Sequence, residues 1–188
     1  MSDPTRKAGW GTASDGSLVT WTVSEGRRGR RWREVIARDG AVVHALLLET
    51  DPDGRFSHME LARADGLWTF HPEGDGTLHG NHVDRSEEGV RHVEGWPFGP
   101  DDALVLEGSP VGTAAAVDRW RGSVAVGGTA VIGGVVIGRD GVLRREDALT
   151  LERSSVGAWR VGGGPPVEVD GAGLPAFPDG QRRPLERG

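Results

Sequence analysis

Hydrophobic residues occur along the chain in short runs that alternate with polar positions, and Asp-Gly pairs separate many of these runs. These pairs include Asp15-Gly16, Asp39-Gly40, Asp53-Gly54, Asp65-Gly66, Asp75-Gly76, Asp140-Gly141 and Asp179-Gly180. Because Asp and Gly both tolerate a positive φ, each pair suits the tight turn of a β-hairpin. The 31 glycines also argue against long helices. The pattern therefore predicts an antiparallel β-meander.

Candidate strands lie between these turns. They span residues 18–24, 32–38, 41–49, 55–63, 67–71, 81–85, 90–96, 103–107, 113–121, 129–137, 142–145, 148–153 and 158–161. The segment 113–121, TAAAVDRWR, is also compatible with a short helix. At 188 residues, one domain spanning 1–188 is expected. We expect an ordered core at about 16–177 with a mobile N-terminus and a mobile, Gly/Pro-rich C-terminal tail.

Charge and composition exclude several functions. The net charge is −6 and the pI is about 5.5, which disfavours general affinity for nucleic acids or anionic lipids. The absence of cysteine excludes disulfides, thiolate nucleophiles and Cys-ligated zinc. No apolar segment approaches the roughly 20 residues of a membrane-spanning helix. The sequence predicts a cytoplasmic protein without membrane insertion, and it leaves the oligomeric state open.

Residues 79–96, HGNHVDRSEEGVRHVEGW, concentrate groups that can carry chemistry. They include His79, His82, Asp84, His92, Glu94 and Trp96. In a strand, residues two apart share a face, so His82 pairs with Asp84, and His92 with Glu94 and Trp96. An odd-numbered loop would bring His82 opposite His92, whereas an even-numbered loop would point the two sets apart. The converging arrangement would suit proton transfer or a divalent metal, and the other would be a polar hairpin.

Aromatic and basic residues give a second set of candidates. The seven tryptophans supply large apolar areas, each with one N–H donor, which suits either an ordinary core or the wall of a ligand pocket. The basic segment 27–33, RRGRRWR, could clamp an anion or form a solvated strand edge. The candidate ligand-binding residues are Trp68, Phe70, His79, Trp96, Phe98 and Arg31.

One region resembles a known family. The matching features are Gly66-Leu67-Trp68, Leu78-His79-Gly80, Val83-Asp84, Pro97-Phe98, Leu104-Val105-Leu106 and the late Arg139-Asp140-Gly141-Val142 turn. Residues 49–108 in particular resemble the bacterial glycolipid-binding protein family. This resemblance implies a β-roll or half-barrel like that of lipoprotein carriers, with an apolar concavity. The three histidines of the 79–96 segment are not part of the family pattern.

The predicted fold class is therefore all-β and mainly antiparallel, a β-roll, half-barrel or barrel with an enclosed cavity and at most one or two short helices. The predicted function is binding of a hydrophobic or amphipathic small molecule, glycolipid-like or polyketide-like, in a Trp-lined cavity. The alternative is an isomerase, cyclase or lyase whose catalytic residues are His82, His92, Asp84 and Glu94. A protein-interaction module using residues 27–33 is a third possibility. Neither a cofactor nor a resident metal is expected.

Overall fold

Across residues 5–86 and 89–184, which the computed structural model describes, the chain folds into fifteen β-strands and one α-helix. The strands are β1 (Thr5–Thr12), β2 (Leu18–Gly26), β3 (Gly29–Arg38), β4 (Ala41–Thr50), β5 (Phe56–Arg63), β6 (Gly66–Pro72), β7 (Thr77–Asp84), β8 (Arg91–Pro97), β9 (Ala103–Leu106), β10 (Thr129–Ile137), β11 (Leu143–Arg153), β12 (Ala158–Val161), β13 (Val167–Val169), β14 (Pro175–Ala176) and β15 (Gln181–Pro184). The helix, α1 (Pro110–Asp118), follows β9. The predicted all-β class is confirmed.

The first sheet contains nine strands in the order β15-β1-β2-β3-β4-β5-β6-β7-β8, all antiparallel. Burial alternates along its strands, as expected when one face covers a core. Val19, Trp21 and Val23 of β2 are buried, and so are Leu46 and Leu48 of β4. The alternation of apolar and polar residues therefore selects the inner face of this sheet.

The second sheet contains six strands in the order β14-β13-β12-β11-β10-β9 and curves into a half-barrel. Its strands pair antiparallel except for β9 and β10, which are parallel. A parallel pair needs a crossover connection, and the chain between these strands contains α1. The helix contacts β3 and β4 of the first sheet and β9, β12, β13 and β14 of the second, so it lies between the two sheets.

The helix forms because its first turn is capped. The side chain of Ser109 accepts a hydrogen bond from the backbone N–H of Gly112 at 2.7 Å, and Pro110 occupies the first turn. Val111, Ala114 and Val117 are fully buried. The helical alternative for the segment 113–121 is therefore correct for residues 113–118, and the strand assignment is wrong; residues 119–121 form a turn.

The predicted Asp-Gly turns are largely confirmed by positive φ angles at their glycines. These angles occur at Gly16, Gly40, Gly54, Gly66, Gly76 and Gly141. In the β3–β4 turn, Asp39 (φ 52°) and Gly40 (φ 77°) both have positive φ, as a type I′ hairpin requires. Local turn chemistry thus fixes where most neighbouring strands reverse.

The chain ends extend the first sheet beyond the predicted core of 16–177. Strand β1 pairs with β2 on one side and with β15 on the other, where Trp10 lies opposite Gln181. Residues near both ends of the chain are therefore neighbours in one sheet. No helix in the described part of the chain is long and apolar enough to cross a lipid bilayer.

Candidate functional site

The hairpin of β7 and β8 does not bring the predicted histidines together. His82 pairs with Arg91, and Asn81 pairs with His92. Since neighbours along a strand point to opposite faces, His82 lies on the inner face and His92 on the outer face. His82 is buried and His92 is exposed, in agreement with this register. The converging register considered from the sequence is wrong, because an even number of residues separates the pairing positions.

A β-bulge changes the second half of the same hairpin. Leu78 pairs with Trp96 and Gly80 pairs with Val93, so β8 contains one more residue than β7 between these pairs. The bulge places Trp96 on the inner face with Val93, where both pack against the core. The prediction that His92 and Trp96 share a face is therefore wrong. The side chain of Glu94, the fourth predicted catalytic group, lies outside the described residues.

His82 occupies a packed environment on the inner face. Its ring stacks on Trp68 with 3.9 Å between ring centroids, and its Nδ1 accepts a hydrogen bond from Nη2 of Arg91 at 3.1 Å. Its Nε2 has no hydrogen-bond partner among the described residues. Hydrogen bonds from the hydroxyl and the backbone N–H of Ser86 lower the pKa of Asp84. Oδ2 of Asp84 lies 3.9 Å from Nη2 of Arg91. His82 therefore forms part of a stacked cluster on β6 and β7, one strand in from the β8 edge of the sheet.

His79 is exposed on the outer face. Within the described part of the chain, no group of three or more His, Asp or Glu residues is arranged to hold a metal ion. An acid/base mechanism shared by His82 and His92 would need both rings on one face of the sheet, and the observed register separates them.

The predicted aromatic ligand-binding residues belong mainly to the core. Phe70 is fully buried and Phe98 is 5% exposed, while Trp68 stacks parallel to Phe70 at 6.1 Å between centroids. The largest fully buried side chains include Trp32 and Trp159. Six of the seven tryptophans belong to the hydrophobic core or pack against it, and Trp10 is 41% exposed. For these six residues the structure agrees with the ordinary-core alternative.

The basic segment 27–33 is divided between two environments. Arg31 is exposed and pairs with Glu49 at 2.5 Å. Arg30 is mostly buried, and its guanidinium contacts the carboxylate of Asp118 at the end of α1 at 3.0 Å. Burial raises the pKa of Asp118, and the charges of Arg30 and Arg121 partly counter this effect. A polar depression of about 320 Å³ lies beside these residues.

A cleft with a volume of about 570 Å³ lies between the curved second sheet and the start of α1. Its walls come from β9, β10, β11 and β12, from the loop that enters α1, and from the turn at residues 162–165. The apolar part of its lining includes the buried residues Val105, Val136, Leu149 and Val161. None of the described tryptophans lines this cleft. We call this feature the cleft below.

Charged residues are placed around the apolar part of the cleft: Glu107, Arg139, Arg144 and Glu146. Arg144 forms an ion pair with Glu107 across the cleft wall. Arg139 pairs with Asp15 of the β1–β2 turn at 3.3 Å, and its guanidinium lies directly over Gly108. A side chain at residue 108 would meet Nη2 of Arg139 at 2.9 Å, so glycine is what permits this approach. The cleft therefore combines an apolar surface with charged groups of both signs.

A buried carboxylate supports the wall of the cleft and was not found from the sequence. Oε1 of Glu34 lies 2.9 Å from Nε2 of His44, and Oε2 accepts a hydrogen bond from the backbone N–H of Val111 at 2.9 Å. Glu34 is 1% exposed. The signal was present in the alternation of β3, where Trp32, Glu34 and Ile36 occupy successive inner positions. A carboxylate among these apolar residues indicates a buried polar contact.

Comparisons with known proteins give little further information. No protein-family model matches the chain, and no curated protein matches it. One solved structure, a DUF1089-family protein of Pseudomonas aeruginosa, aligns with 93% of this chain and 88% of its own at 14% sequence identity. The TM-score of this alignment is 0.48, a likeness too low to carry a functional conclusion.

Proposed function

We propose that this protein binds a small amphipathic molecule in the cleft. The observation that carries the proposal is the cleft itself, whose volume of about 570 Å³ falls within the roughly 300–1,000 Å³ of small-molecule sites. Aliphatic side chains would contact the apolar part of the ligand. Charged and hydroxyl groups at the rim would orient its polar part.

This proposal keeps the ligand class expected from the sequence and changes its location. A Trp-lined cavity was expected, but the described lining of the cleft is aliphatic and polar. Burial of the ligand on Val105, Val136 and Val161 would supply binding free energy of about 25 cal/mol for each Å² of apolar area removed from water. A glycolipid-like or polyketide-like molecule would have the required apolar and polar parts.

The test uses Nile red, an uncharged apolar dye whose fluorescence rises in apolar surroundings. We expect saturable dye binding to the full chain. We expect it to be lost in Ala148→Trp, because Ala148 is an exposed residue of the cleft wall and the indole would fill the space beside it. Native mass spectrometry of protein purified from its own host would then identify a retained molecule by its added mass.

The matched control is Ala41→Trp, which places the same side chain at an exposed position on β4, outside the lining of the cleft. This variant should bind Nile red as the unmodified protein does. Equal binding by both tryptophan variants, or no saturable binding by the unmodified chain, would show that the cleft is not a ligand site.

A further inference from the structure

One charged side chain of the cleft lining has no ion-pair partner among the described residues, and this bears on the kind of ligand that the cleft can hold. Arg144 pairs with Glu107, and Arg139 pairs with Asp15, a carboxylate that also pairs with Arg38. Glu146 also lines the cleft, but it makes no ion pair or hydrogen bond with any residue that the structure describes. The one formal charge of the described lining that lacks a partner is therefore negative.

The backbone around Glu146 explains why its side chain lacks a partner. Glu146 pairs with Gly134 of β10, which has no side chain to contact it. The pairing then shifts, because two residues of β11, Asp147 and Ala148, lie opposite the single residue Gly133. A bulge of this kind bends the strand and changes the direction of its side chains. Because Gly134 and Ile132 are two residues apart on β10, their partners Glu146 and Leu149 share one face, and both line the cleft, whereas Asp147 is not part of the lining.

We infer that Glu146 recognises a cationic group, an amine or a quaternary ammonium, on a ligand whose apolar part lies in the cleft. This inference rests on the proposed function. A cation beside Glu146 gains a charge-assisted contact without breaking an existing pair. An anionic ligand would have to compete with Glu107 or Asp15 for the arginines and would also be repelled by Glu146. Glu146 is itself exposed, so the preference should be sensitive to salt.

The inference is tested by competition against Nile red at low ionic strength and pH 7.5. The competitors are decylamine, decanoate and decanol, which share one apolar chain and differ in charge. We expect decylamine to displace the dye at a concentration about tenfold lower than decanoate, since a contact to a charged group contributes roughly that factor. Decanol should fall between them. Raising the salt concentration should reduce the difference between decylamine and decanoate.

Two variants separate a specific contact from a general effect of charge. Glu146→Gln keeps the shape of the side chain and removes its charge, so it should weaken decylamine about tenfold and change decanol little. Asp147→Asn removes one negative charge from the next residue, which is 89% exposed, and should leave all three competitors unchanged. If the two variants weaken decylamine binding equally, the effect comes from the net charge of the protein and not from a contact with Glu146. That result would overturn the inference.

The outcomes also distinguish this inference from the proposed function. If Nile red binds, Ala148→Trp abolishes that binding, and decanoate competes as well as decylamine, the cleft is a ligand site and the role of Glu146 is wrong. If Nile red does not bind, or binds Ala148→Trp unchanged, the proposed function itself fails. A tenfold preference for decylamine that Glu146→Gln removes supports both.

Discussion

The carboxylate of Glu34 lies 2.9 Å from Nε2 of His44 on the inner face of the first sheet, and its second oxygen accepts the backbone N–H of Val111 in the first turn of α1. One side chain thereby joins two strands of the first sheet to the helix that borders the cleft. Because a buried carboxylate is costly unless its oxygens are bonded, this contact also fixes the position at which α1 docks.

Replacing Glu34 with alanine should lower the free energy of unfolding by about 3 kcal/mol, because His44 and the N–H of Val111 would both lose a buried acceptor. Glu34→Gln retains one acceptor and should cost less. Urea unfolding monitored by tryptophan fluorescence provides the measurement. The control is Glu49→Ala, which removes an exposed ion pair with Arg31 and should cost less than about 1 kcal/mol. Similar losses at the two positions would contradict the proposed role of Glu34.

The Asp15 carboxylate predicts a specific dependence of stability on pH. Burial alone would raise its pKa, but hydrogen bonds from Ser17 and the charges of Arg38 and Arg139 together hold the pKa below its ordinary value of 3.8. The folded protein therefore binds this proton more weakly than the unfolded chain. The resulting stabilisation is present above about pH 4 and is lost as the pH falls through the lowered pKa.

Asp15→Asn should accordingly reduce stability at pH 7 by about 1 kcal/mol, and the difference from the unmodified protein should shrink below about pH 4. Urea unfolding at several pH values from 3 to 7 gives the curve. The control is Asp147→Asn, which removes an 89% exposed carboxylate and its ion pair with Arg145, and it should change stability by less than about 0.5 kcal/mol. A difference for Asp15→Asn that stays constant with pH would be inconsistent with the stated cause.

The glycine turns predict a graded series of alanine variants. Gly29→Ala should lose more than about 2 kcal/mol, because φ there is 103° and the new methyl group would collide with the carbonyl oxygen of Thr50. Gly16→Ala should lose about 1 kcal/mol, since φ is 82° but the surrounding space is open. Gly74 has open space and no positive φ, so Gly74→Ala should be nearly neutral. Thermal unfolding measures the order, and any other ranking would count against this account.

The two histidines of the β7–β8 hairpin should behave differently. His82→Ala removes a buried ring that stacks on Trp68 and should lower stability by about 2–4 kcal/mol. His92→Ala alters an exposed side chain and should change stability by less than about 0.5 kcal/mol. Both variants should be compared by urea unfolding with and without Zn²⁺. If Zn²⁺ stabilises the unmodified protein but neither variant, the two histidines share a metal site, contrary to the observed register.

The sequence predicts the features of this fold that depend on local chemistry. Asp39-Gly40 supplies the positive φ angles of its turn, and Val19, Trp21 and Val23 reveal an inner face by simple alternation. The register of β7 and β8 could not be predicted from the sequence. One residue more or fewer in the connecting loop moves every side chain of one strand to the other face of the sheet. The bulge that moves Trp96 to the inner face contains Gly95, and an isolated glycine within a strand is one sequence mark of such a bulge.

The candidate site was less predictable than the fold because it is assembled from distant segments. Val105, Arg139, Glu146 and Val161 become neighbours only when β9, β10, β11 and β12 pair in the half-barrel. Each of these residues alone is ordinary for a strand or a turn. His82 and His92 lie in one short segment of the sequence, but this proximity does not place them on the same face of the sheet.

The pairing of β1 with β15 has a consequence for how this protein tolerates shortening. Removing the strand residues Gln181–Pro184 would leave an eight-stranded sheet and uncover the backbone of β1 along Lys7 to Trp10, a row of unsatisfied amide and carbonyl groups at its edge. Such an edge is a template for a strand from another molecule. The short final strand therefore covers the edge of β1 and opposes self-association through that edge.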